Sequence, residues 1–280
     1  LGSEAKVAQE KARLIQDSGT VKTAIFPEHC LQFDTFREVQ EGETESLVLK
    51  YGDPTEEPPK GFLFFDTKTE TYRVGDAASL RLRRRGYPPL SFPLPLMSEG
   101  MISNCALAVV AALELGVSED EIFERLPQYK PSALRGKWLQ GRGNFYYVDC
   151  YNANPASMLD AIRFFQREAR DLPKLLTLGG MDELGDAGPR LHQETGSRIN
   201  IGSSDKVLLV GEKAQWMMAG MLQSGIQKES IESVADVLEA ESLVSEFEGA
   251  VLLKGSRSNA LETLVPDWAT EEGKMEYAGC

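Results

Sequence analysis

From residue 145 the sequence alternates short, mostly apolar runs with longer stretches whose apolar residues recur every three or four positions. The runs are FYYVD at 145–149, LLTL at 175–178, VLLV at 207–210 and VLL at 251–253. Between them Met158, Leu159, Ile162 and Phe165 share one helical face, and further helices are expected around 191–199, 216–222 and 235–247. Apolar strands alternating with amphipathic helices predict a mostly parallel sheet covered on both faces. Ligands of such sheets bind beyond the carboxyl ends of the strands. The segments placed there, 150–154, 179–182, 211–213 and 254–258, are polar or glycine-rich, and a site is to be sought among them.

The first half is less regular. Residues 1–15 spell a helix, 61–74 short β segments (GFLFFD, then ETYRV), and 104–115 an apolar helix stopped by Gly116. Ser118 and Glu121 have capping-box spacing and open another helix, ended by Pro127 and Pro131. Residues 53–60 and 86–95 read as Pro-rich loops. Arg81, Arg83, Arg84 and Arg85 form a basic knot, read as a solvated edge in preference to an anion site. A glycine-rich crossing at 136–143 divides the chain into domains 1–136 and 137–280.

Charge and cysteine usage narrow the function classes. Forty-three acidic against thirty basic side chains give a net charge of −13, so a nucleic-acid partner is not expected. The longest apolar run, 105–113, is far short of the ~20 residues that cross a bilayer, so no membrane span is expected. Four cysteines without a C-x-x-C pair and two distant histidines, His29 and His192, argue against a zinc site or a disulfide framework. A cytoplasmic location is expected. With no initiator Met and no signal-peptide layout, the chain reads as part of a longer protein. Generic motifs add little. Gly-Lys at 136–137 and 273–274 is not followed by Ser or Thr, and Gly141-Arg142-Gly143 precedes a strand instead of following one.

The specific signal is V-D-C-Y-N-A-N-P at 148–155, which by itself also reads as a strand end, an Asx turn and a helix cap. L-G-G-M-D-E-L-G follows at 178–185, then Leu191-His192, then L-K-G-S-R-S at 253–258. Together these resemble the ordered C-terminal motifs of the Mur ligases, on the branch that adds D-Ala-D-Ala (D-D-S-Y-N-A-N-P, L-G-D-M-x-E-L-G, L-H, V-K-G-S-R-S). Looser matches are Gly2-Ser3 through Lys11, N-C-A-L-A at 104–108, and Lys130-Pro131 through Arg135.

The resemblance implies an α/β fold: part of a Mur-ligase central ATPase domain, then a Rossmann-like, mostly parallel C-terminal domain. The P-loop and the UDP-sugar-binding N-terminal domain of the family fall outside the match. The implied chemistry is ATP-dependent amide synthesis in peptidoglycan precursor formation. A UDP-N-acetylmuramoyl (UDP-MurNAc) tripeptide carboxylate becomes an acyl phosphate, which the amine of D-Ala-D-Ala displaces. Mg2+ and cationic side chains neutralise charge. The implied partners are these small-molecule substrates and the N-terminal part of the same protein. Without that part the isolated chain is expected to be inactive.

Residue by residue, Lys11 matches a lysine that becomes a carbamate ligand of Mg2+, which requires a neutral amine and therefore burial; it also suits a surface helix. Asn104 matches the adenine-binding asparagine, or else caps a helix. Arg135 matches a hinge arginine near the nucleotide. Asp149 would accept from ribose hydroxyls, with Tyr151 and Asn154 framing adenine or the dipeptide. Asp182, Lys254, Ser256 and Arg257 would face substrate, a guanidinium suiting a terminal carboxylate, and His192 would support the site from behind. Two departures bear on activity: L-M-S-E-G-M at 96–101 replaces the family's L-P-G-R-H-N, and Gly180 replaces the Asp of G-D-M. They leave room for a sister ligase, of Mur or folylpolyglutamate type, or a non-catalytic ligand-binding module.

Overall fold

A computed structural model describes residues 4–69 and 78–269, in two compact units, Leu1–Tyr129 and Lys130–Cys280. The first unit opens with α1 (Glu4–Gln16), β1 (Thr23–Pro27), α2 (Asp34–Glu41) and β2 (Glu45–Tyr51). It continues with β3 (Phe62–Thr69), β4 (Ala78–Arg84), β5 (Leu90–Leu94), α3 (Glu99–Glu114) and α4 (Glu119–Arg125). Its sheet runs β1-β2-β3-β4-β5, the first three strands parallel and the last two antiparallel. Ala8 and Ala12, one turn apart, let α1 bury a small-residue stripe in a cluster with Phe26, Phe36 and Val48. The opposite cluster packs Leu49, Leu80 and Phe92 with Val109 and Val110 of α3.

Several expectations change here. The helix expected at 104–115 begins at Glu99, because the Ser98 hydroxyl accepts from the Met101 N–H at 3.4 Å and caps it earlier. Asn104 therefore lies inside α3 and caps nothing. The Pro-rich stretch 86–95 contains a strand. Pro93 is tolerated in β5 because β5 is an edge of the sheet, where a missing N–H breaks no ladder. The arginine knot is largely tied up: Arg81 pairs with Asp66, Arg83 donates to the Pro54 and Thr55 carbonyls, and Arg84 pairs with Glu45 and Glu114. The ETYRV segment, Gly2-Ser3 and the Gly-Lys pair at 273–274 lie outside the described residues.

The second unit comprises β6 (Lys137–Gly141), β7 (Asn144–Asp149), α5 (Pro155–Glu168), β8 (Lys174–Gly179) and α6 (Gly188–Ser197). It ends with β9 (Lys206–Val210), α7 (Glu212–Gln223), β10 (Ile231–Val234), α8 (Val237–Ser245) and β11 (Ala250–Lys254). Strand order is β10-β9-β8-β11-β7-β6, all parallel except β6. The crossing expected at 136–143 is instead a hairpin. Arg142 (φ 51°) and Gly143 (φ 83°) form a two-residue turn of the left-handed kind that matches strand twist. The contact division falls at Tyr129/Lys130, ahead of this hairpin. Gly141 is needed where it stands, since a Cβ there would lie 2.5 Å from the Trp268 ring. Asn154 caps α5 in a reciprocal box with Ser157, and Pro155 occupies the first turn. This turns Met158, Leu159, Ile162 and Phe165 inward. No described helix is long and apolar enough to cross a membrane.

Candidate functional site at the carboxyl edge of the second sheet

Three strands, β7, β8 and β11, deliver their polar successors to one edge. Lys254 ends the central strand β11, in register with Asp149 on one side and Leu178 on the other. Only 1% exposed, its ammonium lies 3.0 Å from Asp149 Oδ2 and donates to the Asn152 carbonyl at 2.7 Å. A buried cation requires such compensation. The Asn152 side chain accepts from the Ala153 N–H at 2.8 Å, and the Asn154 side chain is committed to the cap of α5. Tyr151 stands half exposed at this edge with the Arg135 guanidinium 4.2 Å from its ring centroid, a cation–π pair. Its N–H donates to the Leu134 carbonyl at 3.1 Å, which joins the segment before β6 to the loop after β7.

The loop after β8 is pinned from both sides. Ser256, buried, accepts from the Asp182 N–H at 2.9 Å, and its own N–H donates to the Gly180 carbonyl at 3.0 Å. The Asp182 carboxylate accepts from Lys213, at the start of α7, and from the Ser258 hydroxyl. Burial pushes its pKa up, but those two donors outweigh burial and leave it below the ordinary carboxylate value. The fully buried His192 accepts at Nε2 from the Met181 N–H (2.8 Å) and donates from Nδ1 to the Gly188 carbonyl (2.7 Å). Accepting at Nε2 requires the neutral ring, in its Nδ1–H tautomer. Burial and then the nearby Lys213 charge lower its pKa, against the Gly188 bond and the Asp182 charge, which raise it. His192 is thus a structural clamp behind the loop.

Arg257 does not stand ready for a ligand, because its guanidinium pairs with Glu262. Cys150, buried below, is no nucleophile: burial, then the Glu262 and Asp149 charges, push its thiol up to about 12. Four further side chains contribute to the site. Lys213 and Ser258 lie inside the polar strand-end segments 211–213 and 254–258 and meet at Asp182. Glu262 carries no local signal. Asn259 is the least legible: its side-chain oxygen accepts from the Gly180 N–H (2.9 Å), and its amide donates to the Gly180 and Ser256 carbonyls (3.0 and 2.8 Å). It thereby sews together segments 79 positions apart.

Lys11 and Asn104 belong to the first unit, each exposed on its helix. Lys11 lies off the buried stripe of α1, which is Ala8 and Ala12. Among the described residues no three His, Cys, Asp or Glu side chains gather into a metal-binding group. The described residues do not fit Mg2+ by themselves.

Residues 134–257 match the family model described as Mur ligase, glutamate ligase domain. Over 272 residues the chain is 24% identical to the UDP-N-acetylmuramoyl-tripeptide–D-alanyl-D-alanine ligase of Synechocystis sp. strain PCC 6803, covering 97% of this chain and 55% of that protein. Among solved structures, MurF from Acinetobacter baumannii matches with a TM-score of 0.72 at 23% identity, over 92% of this chain and 54% of that one. The MurF ligase from Thermotoga maritima in complex with ADP matches at 0.62 and 22%, over 90% and 62%. The structural likeness speaks for the fold. The chain spans about half the length of the curated relatives it matches. Residues 134–257 thus match a Mur ligase, glutamate ligase domain, whose motif loops gather at one sheet edge.

Proposed function

We propose that the chain serves an ATP-dependent, amide-forming ligase that adds D-Ala-D-Ala to a UDP-MurNAc tripeptide in the cytoplasm. The observation that carries this reading is the meeting of Asp149, Lys254, Ser256 and Asp182 at one edge, on the loops whose spelling resembles that branch of the family. ATP supplies the activation, since a carboxylate resists attack by an amine whereas an acyl phosphate carries a good leaving group.

The chain's own residues bind and position. Arg135 and Tyr151 offer a charged, planar surface to an adenine or a dipeptide. Lys254 is spent internally on Asp149 and Asn152, so its role is to hold the loop after β7 in shape. Arg257 must exchange Glu262 for an incoming carboxylate before it can grip one. The test is ADP release by the intact gene product, supplied with ATP, a UDP-MurNAc tripeptide and D-Ala-D-Ala. Release that needs both acceptor and dipeptide is expected, and Tyr151→Ala should lower it. Release indifferent to the dipeptide overturns the reading.

A second reading rests on Gly180 and on residues 96–101, where this chain departs from the family spelling. It makes the chain a non-catalytic module that holds a nucleotide or peptide. Nucleotide binding without ligation in the same assay is its outcome.

A further inference from the structure

We propose that the amino edge of the first unit's sheet is a binding site for a small phosphorylated polyol of sugar-phosphate type. A cavity of about 670 Å3 opens where β2 and β3 begin and β4 ends, at the edge away from the carboxyl ends of those parallel strands. Its volume lies within the range of small-molecule sites, about 300–1,000 Å3.

The rim is held from several directions. The Val48 N–H donates to the Gly61 carbonyl at 2.8 Å, and the Gly86 N–H donates to Glu57 at 3.0 Å. Arg84 is fixed between Glu45 (3.2 Å) and Glu114 (2.6 Å) and lies 5.6 Å from the Tyr87 ring centroid. Its charge is thereby compensated. Lys60 and Arg85 also line the cavity, and neither has an ion-pair partner among the described residues. In a chain of net charge −13, two uncompensated cations on a fixed rim form a local attractor for anions.

An ammonium and a guanidinium lining one cavity suit the oxygens of a phosphate. Tyr87, 61% exposed beside them, offers a flat apolar face to a sugar ring. Glu43 and Glu45 line the same cavity, and carboxylates accept from hydroxyls. Of the four arginines grouped in the sequence, Arg85 is the one that the fold leaves available to a ligand among the described residues.

Titration of the 15N-labelled chain with glucose 6-phosphate, glucose and citrate, followed by amide shifts, tests the site. Saturable shifts at Lys60, Gly61, Gly86 and Tyr87 are expected with glucose 6-phosphate. Binding should weaken about tenfold or more for glucose, and also in the Lys60→Gln/Arg85→Gln variant, for loss of charge-assisted contacts. Arg85→Gln alone, at an exposed position, serves if the double variant loses its fold. Absence of saturable shifts, or unchanged affinity in the variants, overturns the site; citrate binding as tightly as glucose 6-phosphate overturns its assignment to phosphate. The readout is binding within the first unit, so it is independent of whether the protein ligates D-Ala-D-Ala.

Discussion

Lys254 and Asp149 face each other in register on the neighbouring parallel strands β11 and β7, joined by an ion pair of 3.0 Å. The lysine is 1% exposed and the carboxylate 21% exposed, so the two partners are unequal. Asp149→Asn strands a buried ammonium, whereas Lys254→Met leaves a carboxylate that still reaches water. Breaking a buried pair costs about 3–5 kcal/mol, and the partial exposure of Asp149 brings the expected loss for Asp149→Asn to about 2–3 kcal/mol. Lys254→Met should cost less. Urea denaturation of the two variants, compared at equal m, checks the order.

Gly180 and Lys213 interlock. A Cβ at 180 would lie 2.6 Å from the Lys213 Cβ, at the base of that side chain and not at its flexible end. Restoring the family's aspartate, Gly180→Asp, should therefore destabilise the chain, by about 1–3 kcal/mol for overpacking. Lys213→Ala should fail to rescue it because the offending carbon remains. Lys213→Gly should restore most of the loss, as read from thermal midpoints of the double variants.

His192 makes the chain sensitive to mild acid. Its folded pKa lies below the ordinary value, chiefly through burial, so between the two values the unfolded chain binds a proton that the folded chain refuses. Stability from this group is present above the ordinary pKa, about 6.5, and declines as pH falls through the window beneath it. Denaturation midpoints measured from pH 7.5 down to pH 5 should fall in the parent and flatten in His192→Gln. An equal slope in both would remove the assignment.

The Tyr151 ring, half exposed under Arg135, is placed to stack. If a nucleotide lies there, Tyr151→Ala should weaken ADP binding by about tenfold, the worth of one stacking contact, while Tyr151→Phe should change it little. Calorimetry on the intact gene product separates these outcomes.

Legibility in the sequence followed the range of the interactions. Asn154-Pro155 announced the start of α5 correctly because a cap is decided within four residues. The apolar runs marked β7, β8, β9 and β11 because strands buried on both faces tolerate little else. β6 is harder to read: Lys137, Gln140 and two flanking glycines hide a strand that exists by pairing with β7 and packing Trp138 against Tyr147. β5 is hidden because Pro93 is acceptable only on an edge, and edge position is a property of the assembled sheet. At the site, Asp149, Tyr151 and Lys254 were readable as motif letters, but their partners were not. Glu262 occupies Arg257, and Asn259 joins β8 to β11, through contacts that no spacing rule encodes. For Lys11 the letters leave a buried carbamate and a surface helix position both open, since periodicity places a residue on a helix face without saying what covers it; in this chain it lies exposed.

The strand order has a consequence for biosynthesis. β11, the last strand in chain order among the described residues, is inserted at the middle of the second unit's sheet, between β8 and β7. Until it emerges from the ribosome, the nascent domain has two separate half-sheets with open inner borders, each inviting a wrong neighbour. Folding must therefore wait for the closing stave, and a chain stopped short of Ala250 would lack both the keystone and the lysine that Asp149 awaits.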